Sequence, residues 1–155
     1  MPIGTSAALP IVNACLGKNG KVRTPLYSLV KTSRVINPNY ISANILHNNG
    51  KIYFLVSPNA SGGAGIKMFL TRGLSRGTLA FAYTGAVQSF SVAFFKDSKG
   101  LGAGKYSLIP DAYQKKMAYL AIPEGTNRID ITFNDENRGY SAEMNLINVT
   151  VVEYK

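Results

Sequence analysis

From residue 51 onward the chain alternates apolar and polar residues in short segments. Lys51 to Val56 puts Ile52, Phe54 and Val56 on one side. Ile66 to Thr71 sets Ile66, Met68 and Leu70 against Lys67, Phe69 and Thr71. Ser89 to Phe95 aligns Phe90, Val92 and Phe94. Leu79 to Tyr83 repeats the pattern, and Asn127 to Phe133 sets Ile129, Ile131 and Phe133 against Arg128, Asp130 and Thr132. Met144 to Tyr154 is a longer run rich in Val and Thr. A period of two sends successive side chains to opposite faces of a strand, so these segments predict half-buried strands with one apolar row turned to a second sheet.

The segments between them carry turn chemistry: Asn49-Gly50, Ser57 to Gly65, Arg72-Gly73, Gly85, Ser98 to Gly104, Glu124-Gly125 and Arg138-Gly139. Many strands at short spacing with Gly-rich turns predict an all-β fold, an antiparallel β-sandwich of jelly-roll type. One stretch reads two ways. Asp111 after Pro110 could cap a helix, while Met117 to Ile122 alternates as a strand and Pro123 ends it. A strand preceded by one helical turn is the preferred reading. The first 40 residues hold Pro2, Pro10, Pro25 and Pro38 and few alternations. They are expected to form an extended N-terminal arm, with residues 41–155 as the sandwich. Val22 to Val30 and Tyr40 to Leu46 could serve as edge strands.

Composition narrows the function more than the fold. The 155 residues suit one domain with a real core, and 46% of them are hydrophobic. The N-terminal stretch lacks the basic region of a secretory leader, and no apolar run is long enough to cross a membrane as a helix. Synthesis in the cytoplasm without a signal peptide and no membrane insertion are the expectations. Cys15 is the only cysteine and His47 the only histidine, which leaves no ordinary zinc site and no supported nucleophile–base pair. His47 falls in a turn. The run Gly100 to Lys105 is not a phosphate loop, because Lys99 stands where the leading Gly is needed and Tyr106 where Ser or Thr is needed. No enzyme is therefore expected, and no cofactor, with one reservation. Asn134 and Asp135 supply oxygen ligands of the kind that hold Ca²⁺, although an Asx-rich turn accounts for the same residues.

The net charge is +9, and such an excess favours polyanions or acidic surfaces. The cations are scattered with no basic block, so a nucleic-acid partner would rest on charge alone and is not expected. Nine Tyr and no Trp occur, and several Tyr lie near turns or opposite the apolar rows. Tyrosine offers an apolar ring and a polar tip, which suits contact with sugar or protein. Tyr53, Tyr106, Tyr113 and Tyr140, with Arg72, are the candidate glycan- or partner-binding residues.

Three segments resemble a known family. Gly77 to Phe95 (GTLAFAYTGAVQSFSVAFF) is similar to the paired-strand hairpin of carbohydrate-binding-module-like jelly rolls, also called galactose-binding-like domains. Lys115 to Phe133 looks like their strand, Pro-X-Gly turn and following strand, and Asn145 to Tyr154 like their final strand. The resemblance covers roughly the last 80 residues and is one of hydrophobicity and turns. Asn148 stands where these domains carry an aspartate before the final strand. The resemblance implies a binding module, as found in glycanases and in bacteriophage tail fibres, spikes and capsid accessory proteins. Two functions are expected in consequence. The first is a structural or attachment subunit of a phage-like virion, acting through other virion proteins or copies of itself. The second is a module that recognises a cell-surface glycan.

Overall fold

The computed structural model describes residues 20–46, 50–57, 64–86, 89–107, 115–133 and 141–154. They form eleven strands and one short 3-10 turn: β1 (Lys21–Pro25), the turn Leu26–Ser28, β2 (Val30–Ile36), β3 (Ile41–Leu46), β4 (Lys51–Val56), β5 (Ala64–Leu70), β6 (Gly77–Gly85), β7 (Ser89–Lys96), β8 (Lys99–Ser107), β9 (Lys116–Ile122), β10 (Arg128–Phe133) and β11 (Ala142–Tyr154). Two antiparallel sheets face each other as a β-sandwich. One runs in the order β3-β4-β11-β6-β9, with β1 added alongside β11. The other runs β2-β5-β10-β7-β8. No helix among the described residues is long and apolar enough to cross a membrane.

The alternation read from sequence is the inside–outside alternation of the sheets. Ile52, Phe54 and Val56, Leu79, Phe81 and Tyr83, and Leu120 and Ile122 point inward from the six-stranded sheet. They meet Ile66 and Met68, Phe90, Val92 and Phe94, and Ile129, Ile131 and Phe133 from the five-stranded one. Rings bridge the layers: Phe54 meets Phe133 edge-on at 4.7 Å, and Tyr83 meets Phe90 at 5.1 Å. Such pairs add to the burial that drives the two sheets together. Tyr83 is buried there, and burial raises its phenol above the ordinary value.

Three places depart from simple alternation. Ser98 to Gly104 reads as a loop, yet most of it belongs to β8, an edge strand paired with β7. Gly100, Gly102 and Gly104 give the segment no side-chain period of its own, so the ladder to β7 decides its conformation. In β11 the register shifts between Ile147 and Thr150, and Asn148 takes a left-handed φ of 53°. Asn148 therefore lies inside the last strand rather than before it. The bulge changes parity, so Met144 and Leu146 face the core ahead of it and Val149 and Val151 after it. In β2 a third irregularity falls at Lys31, since Val30 pairs with Leu70 and Thr32 with Phe69.

Residues 21–25 and 30–36, which the sequence places on the arm side of residue 40, are paired strands. β1 lies along Thr150 to Tyr154 of β11, and β2 forms an edge beside β5. β3, from the expected Tyr40–Leu46 segment, is an edge of the other sheet. Met117 to Ile122 lies within β9. The helical turn expected around Asp111 lies outside the described residues, as do residues 1–19.

Candidate functional site

Two of the residues singled out from sequence have described side chains, and they sit far apart. Tyr53 lies on the outer face of β4 and donates its hydroxyl to Glu143 Oε1 at 2.7 Å. That bond, with a smaller contribution from burial, raises the phenol above its ordinary value. Arg72 follows β5 and makes a two-pronged bond to Glu153, at 2.8 and 2.6 Å, while Ser75 N–H donates to the same carboxylate at 2.8 Å. Glu153 is fully buried. Its bonds hold Arg72 charged above the ordinary range, against the opposing effect of burial. The two acids lie ten residues apart on β11, which at strand rise separates them by roughly 30 Å. Tyr53 and Arg72 thus bond to opposite ends of β11. Tyr106 is in β8 of the other sheet, opposite Phe90. Tyr113, Tyr140, Asn134 and Asp135 lie outside the described residues. Among the described residues no group of three or more His, Cys, Asp and Glu is placed to hold a metal.

The outer face of the five-stranded sheet brings together residues that the sequence reading did not group. Phe69 on β5, Arg128 on β10 and Phe95 on β7 occupy one cross-strand row. The Arg128 guanidinium carbon lies 4.0 Å from the centre of the Phe95 ring and 5.9 Å from that of Phe69. A guanidinium so placed is attracted to the ring faces, and directly opposed residues on neighbouring strands are close enough for this. Arg128 is fixed from the other side by Asp130, two residues along the same face. Nε donates at 2.9 Å and Nη2 at 2.7 Å to its two carboxylate oxygens. These bonds hold Arg128 charged above its ordinary range although burial opposes it. Asp130 is only 6% exposed, so the paired charges and rings make one preorganised row.

Beside this row runs a groove of about 590 Å³. Phe69 and Arg128 line it, with Lys31 and Arg34 from β2 and Lys67 from β5. At the far end Asp97, Ser98 and Asn127 close it. There Asn127 accepts from Asp97 N–H at 2.8 Å and donates its amide to Asp97 Oδ1 at 3.1 Å, so the lip is rigidly bonded. A second cleft, of about 410 Å³, opens between the β8 and β9 edges. It is mainly apolar, with Leu101, Tyr119 and Pro123 among its lining residues. The groove combines an aromatic ring, a fixed guanidinium and convergent polar groups, the mixture by which concave sites orient small polar ligands.

The signal for this site was present in the alternation. Phe69 and Phe95 fall opposite the apolar rows of their strands, and Arg128 and Asp130 oppose Ile129 and Ile131. Phenylalanine is so often a core residue that its parity was the only cue. The pairing of β5 and β7 with β10, which aligns the three side chains, is a long-range fact.

The fold is shared with known binding modules. No protein-family model matches the sequence, and no curated protein is significantly similar to it. Solved structures do match. A mutant family 29 carbohydrate-binding module complexed with cellulohexaose superposes with a TM-score of 0.53 at 12% identity, over 85% of this chain and 91% of that one. The CBM1 module of BiXyn10A, in its apo form, gives 0.55 at 10% identity, over 86% and 97%. A family 29 module from Piromyces equi gives 0.52 at 7% identity, over 86% and 91%. At these identities the likeness is one of fold: this chain has the β-sandwich architecture of carbohydrate-binding modules.

Proposed function

We propose that this chain is a non-catalytic carbohydrate-binding domain whose ligand lies in the groove on the outer face of the five-stranded sheet. The observation that carries the reading is the Phe69–Arg128–Phe95 row, locked by Asp130 beside an open groove. An aromatic surface accepts the apolar faces of sugar rings, while guanidinium, amide and hydroxyl groups meet their hydroxyls. The shared architecture of carbohydrate-binding modules, one of them complexed with cellulohexaose, supports the same reading. The phage-like setting, with virion partners and attachment as the role, rests on the sequence resemblance alone and is part of this proposal only as a context for glycan binding. Ca²⁺ at Asn134 and Asp135 is a further element of it, tested by adding and chelating the ion.

The test is a glycan array followed by titration of the hits, with and without Ca²⁺. Phe69→Ala should weaken binding by about tenfold or more, equivalent to about 1.4 kcal/mol. Tyr119→Ala, on the opposite sheet and 67% exposed, should leave affinity unchanged. An array without hits overturns the function. Loss on Tyr119→Ala with none on Phe69→Ala overturns the site.

A further inference from the structure

The groove is markedly one-sided in charge. Lys31 and Arg34 are exposed on β2, Lys67 is half-buried on β5, and all three line the same groove as Phe69. Arg34 and Lys67 are direct cross-strand partners. Like charges in that position repel and weaken the pairing of an edge strand. No described carboxylate forms an ion pair with any of the three. Asp130 is the next residue in the row, opposite Lys67, but its charge is paired with Arg128, which donates to each of its oxygens. Asp97, across the groove, is bonded to Asn127. The irregularity in β2 adds the third cation. Strict alternation would turn Lys31 away from Thr32 and Arg34, yet the shifted register at this residue lets both Lys31 and Thr32 line the groove.

We infer that the ligand is an acidic glycan, a polysaccharide bearing carboxylate or sulfate groups, with Lys31, Arg34 and Lys67 receiving its charges while Phe69 contacts its rings. The inference rests on the carbohydrate reading above and specifies its ligand class. Lys31 and Arg34 are about 10 Å apart along the strand at the usual rise. Cations so spaced along a strand suit charge repeated along a chain. A single-stranded nucleic acid carries repeated charge too, but its bases need open aromatic faces for stacking. Arg128 covers the Phe95 face at 4.0 Å and Phe69 alone of the two rings lines the groove, which is short of the successive stacking platforms that single strands use.

The experiment is calorimetric titration of the chain with three probes: an oligogalacturonate, the neutral cellohexaose and a single-stranded oligonucleotide. Each is run at low and at physiological salt, on the native chain and on the Arg34→Gln/Lys67→Gln variant. The acidic oligosaccharide should bind at least ~10-fold tighter than the neutral one and weaken as salt rises. The double variant should lose at least ~10-fold of that affinity. Its melting temperature should be unchanged or higher, because a repulsive pair has been removed. If cellohexaose binds as tightly as the oligogalacturonate and the double variant binds both normally, the acidic specificity is wrong while carbohydrate binding stands. If neither oligosaccharide binds, or the oligonucleotide binds tightest, both proposals fall.

Discussion

Arg72 is the residue for which sequence and structure suggest different roles, and removing it separates them. In Arg72→Ala the Glu153 carboxylate, fully buried in the native protein, loses its two-pronged bond to the guanidinium and keeps the Ser75 N–H. Stripping the partner from a fully buried ion pair costs about 3–5 kcal/mol, whereas an exposed pair contributes about 0–1 kcal/mol. This pair lies between, because Arg72 is 42% exposed and Glu153 is not exposed at all. Water can approach the guanidinium side but not the carboxylate, which places the cost at about 2–3 kcal/mol. For a domain of this size that lowers Tm by about 4–12 °C. Thermal denaturation followed by circular dichroism measures it. A second substitution checks the cause. Glu153→Gln should destabilise the native protein, yet be neutral or stabilising when Arg72 is already Ala, since it removes a negative charge that has lost its cation. A shift below ~1 °C in Arg72→Ala would refute the reasoning, given the size of the expected change. So would an equal cost of Glu153→Gln in both backgrounds. Glycan affinity should be unaltered in Arg72→Ala, because the residue is absent from the groove lining.

Phe54→Ala removes a fully buried ring that bridges the sheets and should cost about 3–5 kcal/mol in urea unfolding, with a cost below ~1 kcal/mol contradicting the packing. At position 148 the left-handed φ makes Gly acceptable and a β-branched residue costly. Asn148→Gly should therefore be near neutral and Asn148→Val lose about 1–2 kcal/mol; equal stabilities would refute the bulge. A Cβ added at Gly65 would overlap the Ile131 carbonyl, so Gly65→Ala should yield little folded protein, and a normal melting curve would contradict the close β5–β10 approach. Tyr53 and Tyr83 both have phenols raised above 10.0. A folded-state value above the unfolded one means that the contribution is complete below pH 10.0 and is lost as pH rises through the folded values. Stability should fall above pH 10, less so in Tyr53→Phe; identical alkaline profiles would argue against the Glu143 bond.

The sandwich was legible wherever a strand has one buried and one exposed face. β4, β5, β6, β7 and β10 fall into this group because burial on one face alone imposes a period of two. β1 and β2 are largely exposed, and their sequences carry no such period, so they read as part of an arm with a candidate edge strand at Val22 to Val30. β8 is hidden by its glycines. The bulge at Asn148 is a backbone event in a polar residue, which looks like any other Asn in sequence. The binding face followed the same logic. Each outward residue could be read from parity, but the rows that join Thr32, Phe69, Arg128 and Phe95 depend on which strands are neighbours. Tyrosine attracted attention for its hydroxyl, and in Tyr53 that hydroxyl is engaged by Glu143.

β11 pairs with β1, β4 and β6, so three otherwise separate parts of the six-stranded sheet join along it. It also follows every other described strand in sequence. During synthesis β3 and β4 can pair as a local hairpin, but they have no link to β6 and β9 until residues 142–154 emerge. The inward row of Phe81 and Tyr83 then waits beside an open edge. Non-local closure of this kind is slow and exposes apolar strand edges meanwhile. A nascent chain stalled before residue 142 is thus the form most prone to aggregate, whereas the completed chain covers both flanking strands in one closing step.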